Sequence, residues 1–225
     1  AGVTCIGDYA FCSCSNLVSI HVDENNPNYS SDDRGVLFDK AKTLLIQAPA
    51  AITGPYTVPD SVTFIGDTAF TNCADLTGIA FPDTLITIGS CSFSNCSSLT
   101  DLEIPNDVTY ICDRAFSSCS SLTSVKIPDS VTSIGDYTFY RCSSLTSIEL
   151  PDGLTSIGNY AFSFCDRLTG IDIPGSVTCI SDYAFSYCDG LTTVEIPGSV
   201  TYIGDFTFTW CDRSEEHTSE LQSLL

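Results

Sequence analysis

From Ile127 the chain reads IPDSVTSIGDYTFYRCSSLTSIE, and this order of apolar and polar positions restarts at Leu150, Ile173 and Ile196 and, backwards, at Ile104 and Phe81. Each restart comes 23 residues after the last. One apolar column is Ile in every copy, at Ile6 and then at regular intervals from Ile65 to Ile203. A second is Phe, at Phe11 and from Phe70 to Phe208, and three residues on stands Cys, at Cys14 and from Cys73 to Cys211. Three further on is Leu, from Leu17 and Leu76 to Leu191, replaced in the last copy by Ser214. The Phe-to-Cys spacing suits one face of a short helical turn. Asp8, Asp67, Asp113, Asp136, Asp182 and Asp205 precede that turn, where a carboxylate caps exposed N–H groups. Leu145-Thr-Ser-Ile148-Glu-Leu150 reads as a strand that Pro151 ends, and Val131-Thr-Ser-Ile134 as a second extended piece ending at Gly135.

One such unit is too small to bury its apolar face, whereas stacked units share a continuous core and pair their strands. A period of 23 residues and the L-x-x-L-x-L strand spacing suit a leucine-rich repeat. The expected fold is an α/β repeat solenoid, right-handed, with about eight units over residues 1–212, counting a partial first one. Parallel strands line its concave face, and short helical turns complete each coil. Residues 22–58 form an elongated unit: Asn26-Pro27-Asn28 and Ser31-Asp32-Asp33-Arg34-Gly35 are turn chemistry. Val36-Leu37-Phe38 and Thr43-Leu44-Leu45-Ile46 are strand-like, so an extra hairpin is expected there, still stacked in the array. After Asp212 the pattern stops. The run Arg213-Ser-Glu-Glu-His-Thr-Ser-Glu-Leu-Gln-Ser223 resembles the conceptual translation of a sequencing-library adapter, so residues 213–225 are expected to be non-native or disordered. A short polar extension is the alternative. With no Met and a start at Ala1, the chain is expected to be a fragment of a larger protein.

Charge narrows the function. Asp and Glu number 28 against 8 Lys and Arg, a net charge of −20, which argues against gripping a phosphate backbone. No apolar run approaches the roughly 20 residues of a membrane-spanning helix, and no signal peptide is visible. Of the two His, His217 lies in the anomalous tail and His21 stands alone. Phosphate-loop, H-E-x-x-H and G-x-S-x-G motifs do not occur. Catalytic, cofactor and metal sites are therefore not expected. Thirteen Cys invite a metal or disulfide reading. The closest pair is Cys12-Ser13-Cys14, however, and the eight in the column read better as buried thiols acting as small hydrophobes. Thr132, Thr155, Thr178 and Thr201 form single files rather than the paired Thr-x-Thr ladders of an ice-binding face. Asn28-Tyr29-Ser30 and Asn95-Cys96-Ser97 match the N-glycosylation triplet, a short signal that arises often by chance.

The pattern I-P-x-S-V-T-x-I-G-D-x-A-F-x-x-C-x-x-L-T-x-I resembles the BspA-like class of leucine-rich repeats over about residues 1–212. The long unit is similar too, with Arg34 intruding before Gly35. The resemblance implies a cell-surface or secreted protein that adheres to host extracellular-matrix or cell-surface macromolecules, and it implies no reaction. The expected binding surface is the outward set on the concave strands: Asp101, Glu103, Lys126, Glu149, Asp172 and Glu195. A spacer array without a ligand is the first alternative, and an intracellular interaction scaffold the second.

Overall fold

The computed structural model describes residues 2–7, 9–12 and 14–211, so Asp8 and the tail from Asp212 onward lie outside the described residues. The chain begins its regular structure in the long unit. Here β1 (Tyr29–Ser31), β2 (Leu37–Asp39) and β3 (Leu44–Gln47) pair antiparallel in sequence, and β4 (Gly54–Thr57) follows. The β1–β2 connection is fixed by Asp32, whose Oδ1 accepts from the N–H groups of Arg34 (3.0 Å) and Val36 (2.8 Å). Arg34 reaches across to the carbonyls of Thr53 (2.7 Å) and Pro55 (3.2 Å), and Tyr56 donates its hydroxyl to Asp32 Oδ2 at 2.6 Å. The residue that interrupts the sequence pattern therefore clasps the hairpin to β4.

From there two strands recur in each coil. They are β5 (Phe64–Ile65) and β6 (Leu76–Ala80), β7 (Thr87–Ile88) and β8 (Asp101–Glu103), then β9 (Tyr110–Ile111) and β10 (Ser124–Lys126). β11 (Ser133–Ile134) and β12 (Ser147–Glu149), β13 (Ser156–Ile157) and β14 (Gly170–Ile171), β15 (Cys179–Ile180) and β16 (Thr193–Val194), and finally β17 (Tyr202–Ile203) follow. The odd strands stack in parallel, β3-β5-β7-β9 and β11-β13-β15-β17. The even strands do likewise, β4-β6-β8-β10-β12 and β14-β16. Their register is the repeat itself, as in Val125 opposite Ile148 and Ile157 opposite Ile180. The result is a parallel-strand solenoid of about seven coils. A Pro at each corner ends the even strand, and its carbonyl accepts from the residue three further on, as Pro128 does from Val131 (3.0 Å).

The Phe column fills the interior. Phe70, Phe93, Phe116, Phe139, Phe162 and Phe185 are fully buried and stack face to face, with ring centroids 4.9 to 5.7 Å apart and Phe208 next in line. Stacked pairs of this kind add about 0.5–1.5 kcal/mol each beyond their burial. Cys96, Cys119, Cys142, Cys165, Cys188 and Cys211 are buried beside them, and each thiol donates to the carbonyl of the Phe in the preceding coil at 3.1–3.3 Å. The column does not hold at the N-terminus, where Cys14 is exposed.

The segment between Gly-Asp and Cys is not helical, contrary to the Phe-to-Cys spacing. It is a chain of turns in which every fourth residue is left-handed, such as Tyr137 (φ 56°) and Arg141 (φ 59°). A helix would return each N–H to the carbonyl four residues back. Here the N–H groups of Tyr137, Phe139 and Arg141 point to the next coil, donating to Asn159, Ala161 and Ser163, each at 2.8 Å. Those of Tyr140 and Cys142 close tight turns onto Tyr137 and Phe139. Inter-coil pairing has taken the bonds a helix would need.

The aspartates follow the same logic. Asp67, Asp113, Asp136 and Asp182 do not cap their own turn. Their Oδ1 atoms accept from Ser90, Asp136, Asn159 and Asp205, one coil on, at 2.7–2.9 Å.

Candidate functional site

The six residues expected to face a partner are all exposed. The alternation that buries Leu102, Val125 and Ile171 turns their neighbours outward, as the period of a strand requires. Register sorts them into two files. Lys126 is paired with Glu103 on one side and Glu149 on the other, and Asp172 and Glu195 continue that file at the same repeat position. Asp101 belongs to the neighbouring file, opposite Ser124 and, through it, Ser147. The stripe is acidic but broken by Lys126, whose Nζ lies 3.9 Å from Glu149 Oε2 with both side chains in solvent. An exposed pair of this sort stabilises by about 0–1 kcal/mol, so it leaves both groups available to a partner. Beside it a groove of about 500 Å³ runs along Ile79, Phe81, Ile104 and Pro105, with Asp83, Glu103, Asn106 and Lys126 making it polar. The strand face thus combines a backbone ladder, charges of both signs and a groove of mixed polar and apolar lining.

Chemistry elsewhere is quiet. His21 is exposed, with its ring nitrogen 2.9 Å from Ser19 Oγ. Among the described residues no three His, Cys, Asp or Glu side chains converge as a metal set. Burial pushes the column thiols up, Cys73 and Cys119 to about 12 and Cys211 to about 11, and Cys96, Cys142 and Cys165 well above the ordinary value. A thiol held protonated is a poor nucleophile and a poor metal ligand. The Thr files are occupied too: Thr155, Thr178 and Thr201 donate their hydroxyls to the preceding coil's Thr carbonyl at 2.9–3.3 Å.

One surface was not anticipated from the sequence. Two residues before and two after each buried Phe, the left-handed residues point outward and stack coil on coil. Tyr137, Tyr160, Tyr183 and Phe206 form one file at 4.6–5.0 Å, and Phe164, Tyr187 and Trp210 a second at 4.4 and 4.8 Å. An Arg caps the start of each file: the Arg114 guanidinium lies 4.4 Å from the Tyr137 ring centre, and that of Arg141 lies 5.3 Å from Phe164. The available signal was the aromatic run in these two columns from Tyr137 onward.

Comparison with known proteins agrees with this architecture. A family model for the BspA type leucine rich repeat region matches six copies, over residues 1–32, 54–143 and 109–221. A leucine-rich repeat protein from Eubacterium ventriosum is 28% identical with a TM-score of 0.82, over 91% of this chain and 55% of its own. One from Bacteroides ovatus is 28% identical with a TM-score of 0.70, over 84% and 57%. A leucine rich cell surface protein from Faecalibacterium prausnitzii is 32% identical with a TM-score of 0.59, over 76% and 53%. The chain therefore spans little more than half the length of these three. No curated protein matches it.

Proposed function

The chain belongs to the BspA-type leucine-rich repeat family, and on that premise we propose that it is a non-enzymatic binding solenoid whose even-strand face recognises a macromolecular partner, in the manner of an adhesin. The observation that carries this reading is the exposed file in which Glu103, Lys126 and Glu149 stand in register, with Asp172 and Glu195 at the same repeat position, beside a groove of mixed polar and apolar lining. Repeat solenoids bind through extended faces of this type. A surface or secreted setting is the reading's second part, supported by the cell-surface relative. An acidic stripe selects a partner with a basic patch, since charge complementarity speeds encounter and suppresses wrong partners.

The test is a screen against extracellular-matrix proteins with Glu149, Asp172 and Glu195 all changed to Lys as the control. These side chains make no core contact, so the far-ultraviolet spectrum and melting temperature should hold. The association rate should fall for the variant, and wild-type binding should weaken with salt, because exposed charges are screened over about 8 Å at physiological ionic strength. Equal binding by both proteins at low salt makes the stripe a solvated face. An absence of any bound protein favours the spacer reading.

A further inference from the structure

The fold does not require the two aromatic files. At the same left-handed positions the earlier coils carry Thr68, Cys91, Asn72, Asn95 and Ser118, at φ 54° to 63°, and their strands stack in the same way. From Tyr137 onward rings take these places, half-buried along the files and 52% exposed at Phe206 and at Trp210. They lie in the turn segment of each coil, as Tyr137 does between β11 and β12, and not on the strand that carries the acidic file.

Charge decides what this surface attracts. Between residues 137 and 211 the sequence has two basic residues, Arg141 and Arg167, against eight acidic ones. Asp182 and Asp205 each stand one residue before a file member, and Asp166 shares a surface depression with Phe164. The chain's own side chains show which cation the rings accept. The Arg114 guanidinium lies 4.4 Å from the Tyr137 centre, and that of Arg141 lies 5.2 Å from Tyr140 and 5.3 Å from Phe164. A planar guanidinium packs on aromatic carbon while its N–H groups still donate, a combination that an ammonium lacks.

We propose that the aromatic files are a second interaction surface, which binds an extended, arginine-bearing peptide segment of a partner protein. The ring steps of 4.7, 4.6 and 5.0 Å make the longer file roughly 14 Å long. About four extended residues span that length at roughly 3.3 Å each. Guanidinium groups of the segment lie against the rings and donate to the phenol oxygens of Tyr160 and Tyr183 and to the flanking carboxylates. The rings are ordered beforehand, within 18° of parallel along both files, so little side-chain freedom is lost on binding. This surface does not depend on the strand-face reading.

Octa-arginine, octa-lysine and an uncharged proline-rich peptide are titrated into the full chain carrying Glu149→Lys, Asp172→Lys and Glu195→Lys, which removes the acidic strand face as a competitor. Fluorescence of the single Trp, Trp210, and heteronuclear NMR shifts report binding. Octa-arginine should bind saturably, change the Trp210 emission and bind at least about threefold more tightly than octa-lysine. Adding Phe164→Asn and Tyr187→Asn places at φ 60° and 56° the residue that Asn72 and Asn95 carry at 63° and 62°, so the backbone is retained. Affinity should then fall at least about tenfold. Asp182→Asn is the gentler variant: Asn159 holds the same column and its Oδ1 accepts from the Asp182 N–H at 3.2 Å, so the backbone acceptor survives while the charge goes. It should weaken octa-arginine by about twofold and leave the melting temperature unchanged. The proposal is overturned if octa-arginine does not bind, if octa-lysine binds as tightly, if only the proline-rich peptide binds, or if neither variant weakens binding.

Discussion

Phe139→Ala probes the interior file at its midpoint. Phe139 is fully buried between Phe116 at 5.7 Å and Phe162 at 5.5 Å, both nearly parallel to it. Truncation of a buried Phe costs about 3–5 kcal/mol through lost transfer energy and the cavity left behind. Two stacked partners, each contributing about 0.5–1.5 kcal/mol, place the value toward the upper end. Phe208 offers the internal comparison, because it is half-buried and, among the described residues, stacks on Phe185 alone, at 5.4 Å. Its truncation should cost roughly half as much, about 2 kcal/mol. Phe139→Leu keeps most of the volume and loses the stacking, so about 1–2 kcal/mol is expected. Urea titrations followed by circular dichroism give all three values, and the fluorescence of Trp210 reports the last coil separately. A loss below about 1 kcal/mol for Phe139→Ala, or equal losses at positions 139 and 208, would refute the reasoning.

The buried thiols make the fold alkali-sensitive. Each has a folded value raised above the ordinary 9.0, so above that pH the unfolded chain releases protons that the folded chain retains. Stability is therefore intact below about pH 9 and falls as pH rises toward 11–12, by about 1.4 kcal/mol per unit for each thiol. Melting curves from pH 8 to 11 check this: Cys142→Ala should give a shallower decline, and a flat profile would contradict it. Gly135→Ala should destabilise by about 1–3 kcal/mol, since the added Cβ falls against Asp113 Oδ1 of the preceding coil, with backbone no nearer than 3.3 Å. Asp113→Ala in the same chain should recover part of that loss, and additive losses in the double-mutant cycle would show that the two are not coupled.

That last pair illustrates how far the sequence could be read. Gly-Asp is visible as a local dipeptide, and the obvious account is an aspartate capping its own turn. In the structure the two residues answer to different coils. Where a coil carries Asp67, Asp113, Asp136 or Asp182, the next carries Gly89, Gly135, Gly158 or Gly204, because the carboxylate, and at Gly89, Gly158 and Gly204 the backbone beside it as well, stands where a Cβ would go. Where the earlier coil has Ser90 or Asn159 instead, the next tolerates a side chain, Cys112 or Ser181. The covariation was present in the letters, but only the stacking makes it legible. The repeat spacing alone sets Glu103, Lys126, Glu149, Asp172 and Glu195 in one column and Asp101 in another, whereas the pairing that brings Lys126 between Glu103 and Glu149 needed the register.

The sequence by itself determined the period, the apolar columns and two extended pieces per coil, because an amphipathic unit of 23 residues can bury its Ile, Phe, Cys and Leu only against copies of itself. It also determined that Phe139 and its equivalents are interior, since burial of large apolar side chains dominates the free energy. The tertiary structure decided the conformation between them. Spacing of three is shared by a helix and by successive turns, and the choice depends on where each N–H finds a carbonyl. That carbonyl belongs to the next coil, as Phe139 to Ala161 and Arg141 to Ser163. The same bonds turn every fourth residue left-handed and outward, and so create the aromatic files and their Arg caps. No window of one repeat contains those contacts, because each joins residues a full coil apart.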